Sequence, residues 1–199
     1  MSTLAPARAG FIALYALGYV GAFIALITPV ATTLALKVGE LDPAGKETSL
    51  GLISAIGALV AIVSNALTGA LSDRTRSGLG RRRPWIVGGA LGGIVALAIV
   101  GFAPNLVIAT LGWVLAQLTL NMVLAALQAL LPDQVPLQQR ARVSSVLGIS
   151  QQVSPLLGIG IAYGVAAAGG GIGLMFLVPG VVGAVMLGIL VINIRDVAH

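Results

Sequence analysis

Apolar residues in this chain do not alternate with polar ones at a strand or amphipathic-helix period; they come in long runs separated by short polar breaks. Six runs, residues 9–36, 49–71, 85–103, 105–131, 143–165 and 172–194, have the length of a bilayer crossing, which takes roughly 20 residues as a helix. Runs that are apolar on every side are not surface helices of a soluble domain, because no face is left to meet water. The pattern predicts an all-α integral membrane protein with six transmembrane helices, an N-tail over residues 1–8 and a C-tail over residues 195–199. Only Pro104 and Asn105 stand between the third and fourth spans, and the glycines at 169–171 between the fifth and sixth, so both connections are tight turns. The first run is too long and too interrupted by glycine for a signal-peptide core, and no small-residue cleavage site follows it, so it is expected to be retained as a span.

Composition strengthens this picture and narrows the chemistry. The 199 residues are 58% hydrophobic and 9% charged, whereas a soluble domain carries about 25% charged residues. Glycine, 27 residues in all, is plentiful, as expected where helices approach closely in lipid. There is no cysteine, and the single histidine is the last residue, His199. Disulfides, zinc-thiolate sites and cysteine nucleophiles are excluded, and a histidine-based catalytic or metal cluster is not expected. We expect no catalytic residue, no metal and no cofactor. A net charge of +5 would suggest nucleic acid in a soluble protein, but basic loops in a membrane protein set orientation first, so no nucleic-acid partner is expected.

Arginine and lysine are distributed unevenly. Arg8, Arg74, Arg76, Arg81, Arg82, Arg83, Arg140, Arg142 and Arg195 would share one side of the membrane, and only Lys37 and Lys46 the other. By the positive-inside rule both termini and the loops after the second and fourth spans are cytoplasmic, and residues 37–48 face outward. The expected location is the cell membrane.

No ionisable residue lies within the six runs, so a proton relay inside them is not expected. The polar groups they do hold are uncharged. Thr110, Gln117, Asn121 and Gln128 on the fourth span recur at seven, four and seven residues, which places them on one narrow helix face. That face either lines a polar cavity or supplies interhelical hydrogen bonds. Tyr15 and Tyr19 sit one turn apart on the first span, with Pro29, Thr32 and Thr33 beyond; a kink at Pro29 suits a binding site or simple accommodation equally. Gln151, Ser154, Pro155 and Gly158 share a face of the fifth span, with Gln152 beside them. On the second span Ser54, Gly57, Ala61, Ser64 and Thr68 form a small-residue seam against which another helix can pack or slide. Tyr15, Tyr19, Gln117, Asn121, Gln128 and Gln151 are the candidate solute-binding residues.

The loop after the second span carries the strongest signal. Arginines alone would be read as a solvated loop that fixes topology, but Gly69 and Asp73 are not explained that way. A carboxylate among arginines accepts charge-assisted hydrogen bonds or meets the positive end of a facing helix. Either contact, made in one conformation only, is a latch, and Gly69 one turn earlier would let a facing helix come near.

Residues 69–83, with Gly69, Asp73, Arg74, Gly80 and the run Arg81, Arg82, Arg83 in order, resemble the motif between the second and third helices of major facilitator superfamily transporters. The spacer of residues 75–79 and the ending Gly80-Arg-Arg-Arg-Pro84 are similar to the longer version in glycoside-pentoside-hexuronide symporters and plant-type sucrose carriers. Asn121, Leu130, Pro132, Asp133, Val135, Pro136, Gln139 and Arg140 look like the end of the fourth helix and the following loop of that branch. Ser154, Pro155 and Gly158 match an antiporter motif of some relatives only in part, and antiport does not follow.

The resemblance implies the N-terminal six-helix half of such a transporter, one bundle built as a 3+3 inverted repeat. It further implies secondary active transport by alternating access, with Gly69, Asp73, Arg74, Arg81, Arg82 and Arg83 as the conformational latch. Amide and hydroxyl linings suit a neutral polar solute such as a sugar or glycoside. Cation-coupled relatives place acidic residues in their membrane helices and this chain has none there, so symport through this half is not implied. Since the usual fold has twelve helices, the implied partners are the solute, membrane lipid, and a second copy or separate C-terminal six-helix half. A different class of function is a non-transporting half-transporter fragment or membrane scaffold that needs a second polypeptide.

Overall fold

The computed structural model describes residues 6–78 and 80–194. Among them the chain is helical: α1 (Ala9–Thr28), a π-helical turn (Pro29–Thr33), α2 (Leu34–Leu41), α3 (Lys46–Arg74), α4 (Arg83–Gly101), α5 (Leu106–Gln134), α6 (Leu137–Ala167) and α7 (Ile172–Asn193). Because α1, the π turn and α2 run on as one rod, six helices among the described residues are long and apolar enough to cross a membrane. Helix is what such runs must adopt in lipid, where no water satisfies an exposed N–H or C=O.

The helices overrun the apolar runs at several ends. Lys37 and Glu40 lie on α2, Lys46 and Glu47 on the first turn of α3, Asp73 and Arg74 on its last turn, and Asp133 on the last turn of α5. The 29 residues of α3 reach about 43 Å at 1.5 Å per residue, more than the roughly 30 Å of hydrocarbon, so the charged ends project beyond it. Pro29 has no N–H to give the Ala25 carbonyl, and the backbone absorbs this with a π turn instead of ending the helix. Asn105 caps α5 by accepting the Ile108 N–H at 3.0 Å. Gly169, at φ +83°, makes the tight turn between α6 and α7 in a region that disfavours any side chain.

Packing follows a repeat. α1 packs on α6 and α7 as α5 packs on α3 and α4, while α1 also meets α5 and α4 meets α7. Exchanging the first span with the fourth, the second with the fifth and the third with the sixth maps these contacts onto one another, although α6 also packs on α7 with no comparable contact between α3 and α4. Spans three apart cross the membrane in opposite directions, so the two halves are related as an inverted repeat. Glycines set the closest approaches. A Cβ on Gly21 of α1 would stand 2.6 Å from the Gly183 carbonyl oxygen of α7, and one on Gly89 of α4 would stand 2.6 Å from the Thr119 carbonyl oxygen of α5.

The small-residue seam of α3 is covered within the same chain. Gly57 lies under the Trp113 indole, and the Ser64 hydroxyl donates to the Leu118 carbonyl of α5 at 2.6 Å. Gly57, Ser64 and Thr68 are buried there, Ala61 is half-buried and Ser54 is exposed. A second stripe of α3 stays open: Gly51, Ser54 and Ala58 are exposed, Asn65 and Gly69 half-buried, and a Cβ at 51 or 69 would touch nothing within 4 Å.

Candidate functional site

Two places in the bundle gather polar side chains. At the arginine-rich end, α3 delivers Ser72 and Asp73, the connection to α4 delivers Arg81 and Arg82, and the last turn of α5 delivers Asp133. Gly80, at φ +98°, turns the chain so that these arginines fold back over the helix ends. Ser77 donates to the Gly80 carbonyl at 2.6 Å and holds that turn closed. Arg82 is the hub. Its side chain is only 3% exposed, and its guanidinium donates from Nη1 to the Ser72 hydroxyl at 2.5 Å, from Nη2 to Asp73 at 2.6 Å and from Nε to Asp133 at 2.9 Å. Arg81 reaches the same Asp73 oxygen at 3.1 Å.

A planar five-donor group is the side chain suited to three partners on two helices at once. Its acceptors differ in exposure: Asp133 is 25% exposed and Asp73 59%. Just outside, the Trp85 indole donates to the Thr75 hydroxyl at 2.8 Å, and Arg140 donates to the Pro132 and Val135 carbonyls at 3.0 Å each. The Ala7 N–H donates to the Gln139 side chain at 2.8 Å, drawing the start of the chain to the connection between α5 and α6.

Of the six residues in the sequence-derived latch, Asp73, Arg81 and Arg82 come together directly. Arg83 opens α4 beside them and Arg74 is exposed. Gly69 presents a bare backbone with no neighbour within 4 Å of a Cβ. Asp133 and Ser72 join the hub without having been assigned to it from sequence. The available signal was the position of Asp133, a lone carboxylate just past the fourth apolar run on the arginine-rich side. Arg195, counted in the charge asymmetry, and His199 lie outside the described residues.

The second polar group lies along α1 and α5. Tyr15 is fully buried and donates to the Leu127 carbonyl at 2.5 Å, tying α1 to α5. It stands edge-on to Tyr19, ring centres 5.4 Å apart, in a ladder that runs Phe11, Tyr15, Tyr19, Phe23 up one face of α1. On α5, Gln117 and Asn121 are both buried; the Asn121 amide donates to the Gln117 backbone carbonyl at 2.8 Å and to its side-chain oxygen at 2.9 Å. One turn before them stands Trp113, whose buried indole N–H has no partner among the described residues. Sequence reading passed over Trp113, whose position on the same face at 113, 117 and 121 was the available signal.

The remaining candidates separate from these. Gln128 is exposed, and Thr110 bonds its own helix at the Leu106 carbonyl. Gln151 and Gln152 are exposed, whereas Ser154 and Gly158 of the same helix are buried, Gly158 against the Thr28 side chain of α1. Thus one polar contact, Tyr15 to the Leu127 carbonyl, joins α1 to α5, the Gln117–Asn121 pair bonds within α5, and Gln151 and Gln152 of α6 are exposed.

At the opposite end, Asp42 accepts the Ser49 hydroxyl at 2.7 Å and the Gly45 N–H at 2.9 Å. The Ser49 hydroxyl first, and then the Gly45 N–H, hold its carboxyl below the usual carboxylate range.

Comparison with known proteins agrees with this architecture. The sequence profile of the Major Facilitator Superfamily matches residues 9–198. A general alpha-glucoside permease of Schizosaccharomyces pombe is 30% identical over 123 residues, an alignment that takes in 54% of this chain. The chain spans about a fifth of that relative's length, 22%.

Proposed function

Because the chain belongs to the Major Facilitator Superfamily, we propose that it forms one six-helix wall of a secondary transporter that moves a small polar solute, a sugar or glycoside, by alternating access. The observation that carries this reading is the Arg82 hub. It joins the ends of the second, third and fourth spans through side chains alone, and its acceptor Asp73 is more than half exposed, so this one arm of the hub exchanges with water or a facing helix without unpacking the bundle. The solute class rests on the permease relative and on an uncharged lining. In this reading Tyr19, Gln117 and Asn121 belong to the wall that meets the solute, Tyr15, fully buried, braces that wall from behind, and Gln128 and Gln151 complete it once a facing bundle excludes lipid.

That facing bundle is a second copy of the chain or a C-terminal half. Exposed amides on α5 and α6 and the open stripe of α3 support it, since unpaired amides in hydrocarbon cost several kcal/mol each. The charge asymmetry puts the arginine-rich end in the cytoplasm of a cell-membrane protein. Impermeant thiol reagents applied to intact cells should label Ala44→Cys and spare Gly78→Cys, and the reverse pattern inverts the orientation.

Uptake of a radiolabelled alpha-glucoside into proteoliposomes tests the function, with the chain alone and with any second half supplied. Gln117→Ala and Asn121→Ala should raise the half-saturating solute concentration with little loss of folded yield. Uptake whose solute dependence is unchanged while both variants lose thermal stability would make this pair structural. Absence of flux in either format, from well-folded protein, would favour the non-transporting scaffold.

A further inference from the structure

We propose that the crevice between α4 and α7 at the arginine-rich end is a binding site for an anionic phospholipid, with an acyl chain in the crevice and the headgroup phosphate at Arg83. The crevice has a volume of about 130 Å³ and is lined from α4 by Ile86, Val87, Ala90 and Leu91 and from α7 by Ala184, Leu187, Gly188 and Val191. Its lining is aliphatic or glycine throughout, and Leu91 is 59% exposed. Gly188 makes the notch, because a Cβ there would meet no protein atom within 4 Å.

Two observations choose lipid as the occupant over a second protein surface. From Ile86 to Gly101 and from Ile172 to Ile192 neither helix carries a polar side chain. The uncovered amides and the open small-residue stripe, which a facing bundle would cover, lie instead on α5, α6 and α3. The polar end of the crevice is basic. Arg83 is the first residue of α4, and the lining residues at 86, 87, 90 and 91 follow it by three, four, seven and eight positions. They therefore share its helix face. Arg83, half-buried, thus stands at the arginine-rich mouth of the crevice, where the N–H groups of the first turn add positive charge. Trp85, held by its bond to Thr75, marks the same level and suits the headgroup boundary. An aliphatic slot with a cationic rim complements one anionic lipid molecule.

The test uses the chain in nanodiscs of phosphatidylcholine in which a small fraction of the lipid is brominated on its acyl chains, as phosphatidylglycerol or as phosphatidylcholine. The reporter is Leu91→Trp, on the crevice face, in a Trp85→Phe background, its emission taken as the difference from Trp85→Phe alone, which leaves only Trp113. Brominated phosphatidylglycerol should quench this reporter at roughly fivefold lower mole fraction than brominated phosphatidylcholine, the ratio corresponding to one basic side chain near an anionic headgroup. Arg83→Gln should abolish the preference and Arg83→Lys keep most of it. Gly188→Leu, which fills the slot, should weaken quenching by both lipids and erase the difference. Equal quenching by the two lipids, or a preference that survives Gly188→Leu, overturns the site. Quenching by neither lipid means that a protein surface covers the crevice, and overturns it as well.

Discussion

Where α1 crosses α7, two backbones touch; where α3, α4 and α5 end together, only side chains do. The first contact exists because Gly21 and Gly183 have no side chains, and each backbone occupies the volume that the other's Cβ would need. Such a contact has one geometry and no partner to exchange. The second is built from a buried arginine and two carboxylates, and water can replace the bond to the one that is 59% exposed. Both hold helices together, but the dry glycine crossing makes a rigid body, and the arginine hub, through its exposed carboxylate, a contact with alternatives. On the proposed reading, in which the bundle rocks as a unit, both kinds are needed: rigidity through the middle and exchangeable polarity at the end.

Filling the glycine crossing should have the largest effect. Gly183→Leu drives a side chain into the Gly21 backbone, which cannot rotate away as a side chain can, so its cost should reach or exceed the upper part of the roughly 1–3 kcal/mol range of overpacking. Loss of monodisperse protein, or a clear fall in Tm in mild detergent, is the expected readout. A variant as heat-stable as the parent would show that α1 and α7 do not rely on backbone contact.

Breaking the hub should cost less and move more. Arg82→Gln removes the bonds to both Asp73 and Asp133. A hydrogen bond to a charged group contributes about 1.5–3 kcal/mol, and the exposure of Asp73 calls for discounting its share heavily. The fall in Tm should be smaller than for Gly183→Leu, while the thiol of a Gly78→Cys reporter in the loop beside the hub should react faster. Arg82→Lys should not restore the parent rate, because an ammonium lacks the planar fork that serves three acceptors. Restoration by lysine would reduce the hub to simple charge balance.

The smallest effect belongs to the far end. Asp42 titrates below an ordinary carboxylate in the folded protein, so the order it lends to the connection between α2 and α3 is present above its unfolded value and is lost as pH falls through the folded one. Hydrogen exchange at residues 42–49, corrected for intrinsic rates, should speed up over that acidic window in the parent but not in Asp42→Asn. Equal pH dependence in the two would assign the change to another group.

How far this contrast was legible before folding differs between its two sides. Asp73 and the arginines stood out because charge is scarce in this chain, and scarcity makes a position informative. The glycine crossing did not stand out: with 27 glycines in the chain, nothing local separates Gly21, which meets a backbone, from Gly10 or Gly160, which meet nothing within 4 Å. The amides show the same limit. Gln117 and Gln128 are eleven residues, about three turns, apart and share a helix face, yet one is buried and the other exposed, because a face is an angle whereas cover also depends on how far the neighbouring helices reach.

The sequence by itself determined that six helices are long and apolar enough to cross a membrane and which end of the bundle is basic, since each follows from run length or charge count along one dimension. Only the tertiary structure decided which apolar side chains are core and which are surface. Leu127 and Leu130 are fully buried, whereas Leu52, Leu59 and Ile62 are more than 60% exposed. The same residue types serve both places because lipid is as apolar as the protein interior. In water, the polar face of a helix reveals which side is inside. In a bilayer that signal is absent, and the inside is settled by which helices touch.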